Sequence, residues 1–299
     1  MQSSFITHHS CPACHSGNIY SVLQAKDYLV SGLFFEIWEC GSCTLRFTQN
    51  IPDATAIGSY YQSENYISHT DNSKGLVNRL YRSVRRKTLE GKERLVSSAT
   101  DVKSGTLLDI GAGTGAFIHH MQMRGWKTTG LEPDAGARQK AAELYKVELL
   151  PAENLSGAIP DSFDAISLWH VLEHVHELHS YLEQLKKILR PRGRIFIAVP
   201  NYTSYDATVF KGYWAAYDVP RHLYHFSPGS LKQLLEQHGF KLYGMYPMWY
   251  DSFYISLLSE KYKTGHSNMI KSFFTGFVSN MKTVINRKRC SSVIYVGGK

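Results

Sequence analysis

The sequence has no apolar stretch of the length that crosses a bilayer as a helix, about 18 residues or more, so we expect no membrane-spanning helix. Its first residues, MQSSFITHHSCPAC, lack the apolar segment of a secretory signal peptide. Neither absence favours export or insertion into a membrane. We therefore expect a cytoplasmic protein.

Acidic residues are fewer than basic ones, 25 against 33, which gives a net charge of +8. This excess indicates an anionic partner, such as nucleic acid, a phosphorylated substrate or an acidic membrane surface. The hydrophobic share of 43% and the charged share of 19% are typical of a globular protein. At 299 residues the chain can bury a sizeable core and carry a second, smaller domain.

Four of the five cysteines form the pattern C-x2-C-x25-C-x2-C, at Cys11, Cys14, Cys40 and Cys43, while Cys290 stands alone. Each pair can place two thiolates on one tight turn, so two such pairs indicate one tetrahedral zinc site. Four protein ligands leave no open position, which predicts a structural role for the zinc. Four reduced thiols without metal are the alternative. We expect residues 1–50 to form a zinc-ribbon-like domain that the metal stabilises.

Residues 51–104 are predicted to form a helical and aromatic bridge. Tyr60, Tyr61, Tyr66 and His69 belong to an aromatic segment that either closes over a substrate or packs as a cap on the next domain. A long helix is predicted over residues 75–99, and its run of basic side chains indicates a solvated face.

The stretch LLDIGAGTGAF, at residues 107–117, organises the remainder of the chain. It predicts a buried strand, a turn rich in glycine and then a helix. Such a turn lets backbone N–H groups and a helix N-terminus approach a ligand closely. Glu132 ends the next apolar segment and can accept hydrogen bonds from the hydroxyls of a ribose. The same glycines also satisfy the fingerprint of an NAD-binding oxidoreductase, a weak signal by itself.

Four segments carry a resemblance to a known family: DIGAGTG at residues 109–115, LEPD at 131–134, SFDAISLWHVLEHV at 162–175 and LRPRGRIFIAVPN at 189–201. In this order they closely resemble the motifs of class I methyltransferases that use S-adenosylmethionine (SAM). The resemblance implies a Rossmann-like α/β sheet of seven strands, the last pair antiparallel, over residues 105–299. It further implies that SAM is bound by Asp109, Gly111, Ala112, Gly113, Gly115, Glu132, Pro133, Ala152, Glu153 and Trp169.

The alternation of apolar and helical patterns predicts a parallel sheet. Its strands are expected at residues 106–110, 127–131, 146–150, 163–169 and 193–199, with helices at 115–124, 135–145 and 178–190. The final two strands are expected at residues 241–248 and 292–296, with helices at 253–263 and 268–284 between them.

Two further segments carry expectations about the acceptor and about packing. Residues 200–227 are predicted to be a long aromatic loop that covers the acceptor. Within residues 268–284, an apolar stripe at helical spacing predicts a core or dimer contact rather than a cofactor site. The stripe consists of Ile270, Phe273, Phe274, Phe277 and Met281.

Methyl transfer to a hydroxyl or similar group requires removal of a proton, and neutral histidine is available for this near pH 7. His170 and His174 follow the fourth predicted strand, and His222 and His225 lie in the aromatic loop. We predict His222 as the base, with His225 and His170 as the other catalytic candidates.

The acceptor class rests on resemblance. Ribbons of this kind, fused to this fold, are similar to those of sugar C-methyltransferases, and residues 218–226 resemble a stretch found in methyltransferases of surface-polysaccharide synthesis. This implies a small acceptor, a sugar or a glycan- or lipid-linked precursor, phosphorylated or nucleotide-linked, with peripheral membrane contact as an option. The alternative is a zinc-containing methyltransferase of ribosomal RNA. Against it, the ribbon has no concentrated basic tract, and the Asn/Asp-Pro-Pro-Tyr motif is missing. A non-catalytic binding module is a further alternative.

Overall fold

The computed structural model describes residues 5–61 and 76–299, with the side chains of the helix that begins at residue 76 described from residue 83. Tyr66 and His69, from the predicted aromatic segment, lie outside these ranges. Among the helices of the described ranges, none combines the length and the apolar character needed to cross a bilayer.

The main sheet has six strands. They are β6 (Thr106–Ile110), β7 (Lys127–Leu131), β8 (Phe163–Trp169), β9 (Leu189–Pro200), β11 (Lys241–Pro247) and β12 (Ser292–Gly298). Their spatial order is β11-β12-β9-β8-β6-β7. Strands β6 to β9 run parallel, while β12 is antiparallel to both β9 and β11. The predicted Rossmann-like class I methyltransferase sheet, with its antiparallel final pair, is confirmed.

The prediction of seven strands is wrong by one. Residues 146–150 contribute a single parallel bridge, between Leu150 and Leu131 at the edge of β7. Leu150 donates to the carbonyl of Gly130 and accepts from the N–H of Glu132, and the chain then reaches Pro151. Because proline has no N–H to donate, the pairing ends there.

The described residues contain eight α-helices. They are α1 (Leu76–Thr100), α2 (Ala116–Met123), α3 (Ala135–Tyr145), α4 (Leu178–Ile188), α5 (Tyr205–Phe210), α6 (Pro228–Gln237), α7 (Asp251–Thr264) and α8 (Met269–Ile285). Helix α4 illustrates why they pack as they do. It buries Leu178, Leu182, Leu185 and Ile188, which recur every three or four residues and therefore share one face.

The cysteine-containing region forms a second sheet, from β2 (Ile19–Lys26), β3 (Phe34–Cys40) and β4 (Arg46–Thr48). A short strand from the distant part of the chain, β10 (Tyr224–His225), pairs antiparallel with β4 and completes it. Two further short strands, β1 (Phe5–Ile6) and β5 (Ile51–Pro52), pair with each other.

Residues 200–227 are not the open loop that the sequence predicted. They contain α5, two turns of 3-10 helix and β10. Phe210, Trp214, Tyr217 and Phe226 are all buried, so these aromatic side chains belong to the protein core. These four side chains therefore do not form the predicted aromatic cover over an acceptor.

Candidate active site

The carboxyl ends of β6, β7 and β8 lie side by side and carry the candidate residues. Ile110 pairs with Leu131 on one side and with Leu168 on the other, so Asp109, Glu132 and Trp169 reach the same edge of the sheet. In open parallel sheets, ligands bind beyond this edge.

The glycine turn after β6 is shaped around the carboxylate of Glu132. Gly111 and Gly113 have φ angles of 69° and 54°, in the left-handed region that favours glycine. The N–H of Gly113 donates to Oε2 of Glu132 at 2.7 Å, and the N–H of Asp134 donates to Oε1 at 3.0 Å. Burial raises the pKa of Glu132. A Cβ added at Gly113 would meet no described atom within 4 Å, so the turn has free space beside it.

Asp109 and Lys92 place opposite charges near the start of this turn. Asp109 is 1% exposed and accepts a hydrogen bond from Ser167 Oγ at 2.6 Å, and burial raises its pKa to about 7. Lys92, on α1, holds its Nζ 4.2 Å from the ring centroid of Trp169, and burial lowers the pKa of this lysine to about 8. The indole Nε1 of Trp169 is buried without a hydrogen-bond partner among the described residues.

The other residues predicted to bind SAM lie around the same edge. Gly115 caps the N-terminus of α2 in a left-handed conformation. Pro133 is exposed next to Glu132, whereas Ala152 and exposed Glu153 lie in a 3-10 turn just after the Leu150 bridge. Ala112 is part of the glycine turn, and its N–H donates to the carbonyl of Leu131.

A group of acids and histidines adjoins the end of β8. His170 has a φ of 59°, and its Nε2 lies 3.1 Å from Oδ2 of Asp251, the first residue of α7. Its Nδ1 lies 3.4 Å from Oε1 of Glu173. Although burial opposes the charged form, these two carboxylates raise the pKa of His170 to about 10. His170 is therefore charged near neutral pH.

His174 and His222 complete this group, and their rings meet edge to face at 4.6 Å between centroids. Nδ1 of His222 lies 2.9 Å from the carbonyl of Ala216, and Nδ1 of His174 lies 3.0 Å from the carbonyl of Arg221. Because a carbonyl can only accept, each Nδ1 carries the proton and each Nε2 keeps its lone pair. Nε2 of His222 lies 3.9 Å from Oδ2 of Asp218. Burial, followed by the nearby His222, lowers the pKa of His174 to about 4.

Glu173 lies at the centre of the acid–histidine cluster, which we define as His170, Glu173, His174, His222 and Asp251. Its side chain is fully buried, and neither carboxylate oxygen accepts a hydrogen bond within the described part of the chain. One of its oxygens lies within 4.8 Å of a ring nitrogen of both His174 and His222. The ion pair with His170, at 3.4 Å, offsets the charge of Glu173 without supplying a well-formed hydrogen bond. A buried carboxylate that is short of donors indicates a functional rather than a stabilising role.

His225 lies outside the cluster. Its Nε2 lies 3.1 Å from Oγ1 of Thr48, and its ring packs edge to face on Tyr217. Burial lowers its pKa well below the ordinary value, so it stays neutral.

Arg221 fixes the loop that carries His222. Its guanidinium is 1% exposed and donates to Asp218 at 2.7 Å, to Asp27 at 3.0 Å and to the carbonyl of Tyr60 at 3.0 Å. These contacts join the cysteine-containing sheet, the bridge and residues 218–222 at one point. The position of His222 therefore depends on parts of the chain that are far apart in sequence.

Comparison with known proteins shows the family. The family model described as "Methyltransferase domain" matches residues 80–243, which is more than half of the chain. The chain belongs to this methyltransferase family. The matched residues include Lys92, the glycine turn, Glu132 and the cluster up to His222, whereas the cysteine-containing region and helices α7 and α8 lie outside the match.

Two curated relatives illustrate the similarity of the methyltransferase domain. An uncharacterized methyltransferase of Alkaliphilus oremlandii is 30% identical over 144 residues, which cover 47% of this chain and 63% of the relative. A ubiquinone biosynthesis O-methyltransferase of Aeromonas salmonicida is 34% identical over 102 residues, which cover 32% of this chain and 43% of the relative. The matches thus span less than two thirds of either relative.

Among solved structures, a SAM-dependent methyltransferase from Archaeoglobus fulgidus shares 18% identity and covers 75% of this chain and 100% of its own, with a TM-score of 0.49. Phosphoethanolamine N-methyltransferase 2 of Haemonchus contortus, in complex with SAM, shares 16% identity and covers 70% of this chain and 52% of its own, with a TM-score of 0.48. At these scores the likeness supports no statement about function.

The four paired cysteines of the methyltransferase converge on one point. Sγ of Cys11 lies 3.5 Å from that of Cys43, and Sγ of Cys14 lies 3.6 Å from that of Cys40. All four sulfurs lie within 4.8 Å of one another, and none is in a disulfide. Sulfurs bound to one tetrahedral zinc at about 2.3 Å stand about 3.8 Å apart, so the cluster has the dimensions of a zinc site.

Sequence reasoning missed three residues of the site: Lys92, Glu173 and Asp251. Lys92 belongs to the run of basic residues that was expected to form a solvated helix face. Its position in the sequence does not show that its side chain lies over the ring of Trp169. Asp251 begins α7, which lies between the last two strands of the main sheet and far along the chain from His170. Only Glu173 had a local signal, an acid between two histidines in HVLEH directly after a buried strand.

Proposed function

We propose that this chain is a SAM-dependent methyltransferase that transfers a methyl group to a hydroxyl of a small acceptor, a sugar or a glycan- or lipid-linked precursor. The observation that carries this proposal is the buried carboxylate of Glu173, which is ion-paired with His170 but accepts no hydrogen bond among the described residues. It lies between histidines at the sheet edge where Asp109 and Glu132 also end. When bound, SAM supplies an electrophilic methyl group on a sulfonium. The residues around it hold the partners in place and remove a proton.

The donor set fits SAM. Its amino-acid end carries an ammonium and a carboxylate, for which Asp109 and Lys92 offer the complementary charges. Its ribose hydroxyls can donate to the carboxylate of Glu132, and the free space beside Gly113 admits a ligand against the turn. The buried Nε1 of Trp169 remains available as a donor. The remaining contacts are proposed for Gly111, Ala112, Gly115, Pro133, Ala152 and Glu153.

For proton removal we propose His222, whose orientation is fixed by the carbonyl of Ala216 and whose Nε2 lies 3.9 Å from Oδ2 of Asp218, a carboxylate that favours uptake of a proton. His170 is a candidate for a different task. Its charge at neutral pH suits it to stabilise negative charge as the acceptor loses its proton. His225 is the third catalytic candidate. We propose that it acts indirectly, by holding β10 in place through its contact with Thr48, and does not touch the acceptor.

A small acceptor is favoured by the depth of the cluster. His222 is 9% exposed and Glu173 is fully buried, so the acceptor atom has to enter the protein to reach them. A hydroxyl acceptor is favoured by the named O-methyltransferases among the relatives. An RNA methyltransferase, our second candidate, would have to extrude a base from its strand to reach the same depth.

The assay that tests the function supplies SAM with a labelled methyl group to the purified protein. Separate reactions contain a nucleotide-sugar pool, a polyprenyl-linked glycan extract and total cellular RNA. We expect label in one of the first two. Label only in RNA would replace the proposed acceptor with the second candidate. No label in any pool, together with no binding of S-adenosylhomocysteine, would contradict the methyltransferase itself.

We also propose a structural zinc at Cys11, Cys14, Cys40 and Cys43, supported by the sulfur spacing. Metal analysis of protein purified without chelator should give one zinc per chain, and removal of zinc should lower the free energy of unfolding, because a metal that binds only the folded state stabilises it. No metal and four freely reactive thiols would contradict this. A second metal per chain, lost in Glu173→Gln, would place an ion in the acid–histidine cluster and contradict the role of His222 as a free base.

The division into residues 1–50, 51–104 and 105–299 remains our proposal for the domains, as does a cytoplasmic location. The pairing of β10 with β4 supports a close association of the ribbon with the methyltransferase domain. It predicts that the two unfold together.

A further inference from the structure

Helix α8 is oriented with its apolar side chains away from the protein. Residues buried on it are small or polar, namely Ser272, Thr275, Gly276, Ser279 and Thr283. Residues exposed on it are large and apolar, namely Met269, Ile270, Phe273, Phe274, Phe277, Met281, Val284 and Ile285. Of the two predicted alternatives, core or dimer contact, the first is therefore wrong: the stripe is not part of the core of the chain.

The exposed residues form one continuous stripe, which we call the α8 face. At roughly 100° per residue, its eight members fall within an arc of about 160° on the helix. Ile270 is 85% exposed and Phe274 is 65% exposed. A contiguous apolar patch of this kind marks an interaction surface rather than ordinary surface scatter.

The inward face of α8 is fixed by specific contacts, so the helix cannot simply roll to hide its apolar residues. Ser279 donates to Oδ1 of Asp206 at 2.7 Å, and Ser252 on α7 donates to Asn280 at 3.1 Å. A Cβ added at Gly276 would lie 3.0 Å from the backbone of Phe253, which shows how closely α7 and α8 approach. Small residues permit this approach, and larger ones in the same positions would prevent it.

Positive charge surrounds the α8 face. Residues 251–289 contain seven basic side chains, which are Lys261, Lys263, Lys271, Lys282, Arg287, Lys288 and Arg289. Asp251 and Glu260 are the two acids of this segment. Both are engaged, Asp251 with His170 and Glu260 with Lys271. Seven positive charges minus two negative ones give a net charge of +5 for residues 251–289, out of +8 for the whole chain.

We infer that the α8 face docks on an anionic membrane surface. Apolar side chains with basic residues at the border and at both ends of the helix match the acyl and headgroup layers of a bilayer that contains acidic lipids. Lys271 and Lys282 lie along one edge of the stripe, where Lys271 pairs with Glu260 and Lys282 lies 5.2 Å from the ring centroid of Tyr205, so both positive charges stand at the border of the apolar face. A second copy of the chain is a poorer partner, because two copies of residues 251–289, each with a net charge of +5, would repel each other.

The test measures co-sedimentation of the full chain with vesicles. One set contains phosphatidylcholine alone, and the other contains equal parts of phosphatidylcholine and phosphatidylglycerol. We expect binding to the anionic vesicles that weakens as salt is added. Phe274→Glu should reduce it by roughly tenfold or more, because a large apolar side chain no longer enters the bilayer. Lys282→Glu should weaken binding to the anionic vesicles by a smaller factor.

The matched control is Ile159→Glu, since Ile159 is 73% exposed but lies far from α8 in sequence and outside its stripe. It should bind as the wild type does, and near-ultraviolet circular dichroism should confirm that all variants are folded. Absence of binding to either vesicle would overturn the inference, as would equal loss in Phe274→Glu and Ile159→Glu. A wild-type dimer that Phe274→Glu dissociates would assign the face to self-association instead. None of these outcomes depends on methyl transfer.

Discussion

The proposed cofactor edge and the acid–histidine cluster are adjacent in space but are built in different ways. The cofactor edge comes from two short segments, residues 109–115 and 131–134, whose strands pair in parallel. The cluster needs residues from the turn after β8, from residues 218–222 and from the start of α7. Under the proposed function, binding of the cofactor is therefore a local property, whereas the chemistry on the acceptor depends on the assembly of the whole chain.

Removal of the proposed base should distinguish most clearly between the contributions of the two regions to turnover and to cofactor binding. We expect His222→Ala to lower turnover by roughly 100-fold or more, since general-base catalysis contributes at least this much. Affinity for S-adenosylhomocysteine should stay unchanged, because His222 does not touch the glycine turn. Single-turnover rates with labelled SAM would measure the first quantity, and equilibrium dialysis the second.

The control for this variant is His238→Ala. His238 is also a histidine with a histidine partner, His179 at 2.8 Å, but it lies at the end of α6. Its loss should leave turnover near that of the wild type. Equal losses in both variants would show that His222 has no special role in the reaction.

The reciprocal variant acts on the cofactor side. Glu132→Ala should weaken binding of S-adenosylhomocysteine by roughly 1–3 kcal/mol, which is the range for hydrogen bonds to a charged group. Quenching of tryptophan fluorescence is a suitable probe, because Trp169 lies at the same edge. Glu143→Ala, on the exposed side of α3, is the control and should bind normally. Undiminished affinity in Glu132→Ala would contradict the proposed ribose contact.

The smallest expected effect concerns the ion pair that joins the cluster to α7. The pKa of His170 is raised from 6.5 to about 10, so its pairing with Asp251 stabilises the fold fully below pH 6.5. That stabilisation is lost as the pH rises through 10. Because the pair is partly exposed, we expect it to contribute on the order of 1 kcal/mol.

Asp251→Asn tests this pair. Denaturation with urea should show a lower free energy of unfolding for the variant below pH 6.5, and the difference from the wild type should shrink toward pH 10. A difference that grows over the same interval would contradict the assignment of a charged His170.

The sequence predicted the strands and the glycine turn at the proposed cofactor edge of the sheet well, because they are made of contiguous motifs. Strands β6 and β7, the glycine turn and the antiparallel final pair all follow from local pattern and family resemblance. The third strand was overpredicted, since an apolar run does not reveal that its pairing stops at Pro151.

The rest required tertiary structure. Aromatic residues of 200–227 have the same composition whether they line a pocket or fill the core, and here they fill the core. The stripe on α8 has the spacing of a buried face, and only the packed Ser, Thr and Gly residues on its opposite side show that it points outward. Periodicity alone identifies an apolar face without telling what covers it.

The proposed cofactor is tested most directly by an isothermal titration of the wild-type protein with S-adenosylhomocysteine, followed by the same titration with NADH. We expect one binding site per chain for S-adenosylhomocysteine and no measurable heat with NADH. Tight binding of NADH, with no response to S-adenosylhomocysteine, would contradict it. The glycine turn and Glu132 would then belong to a dinucleotide site.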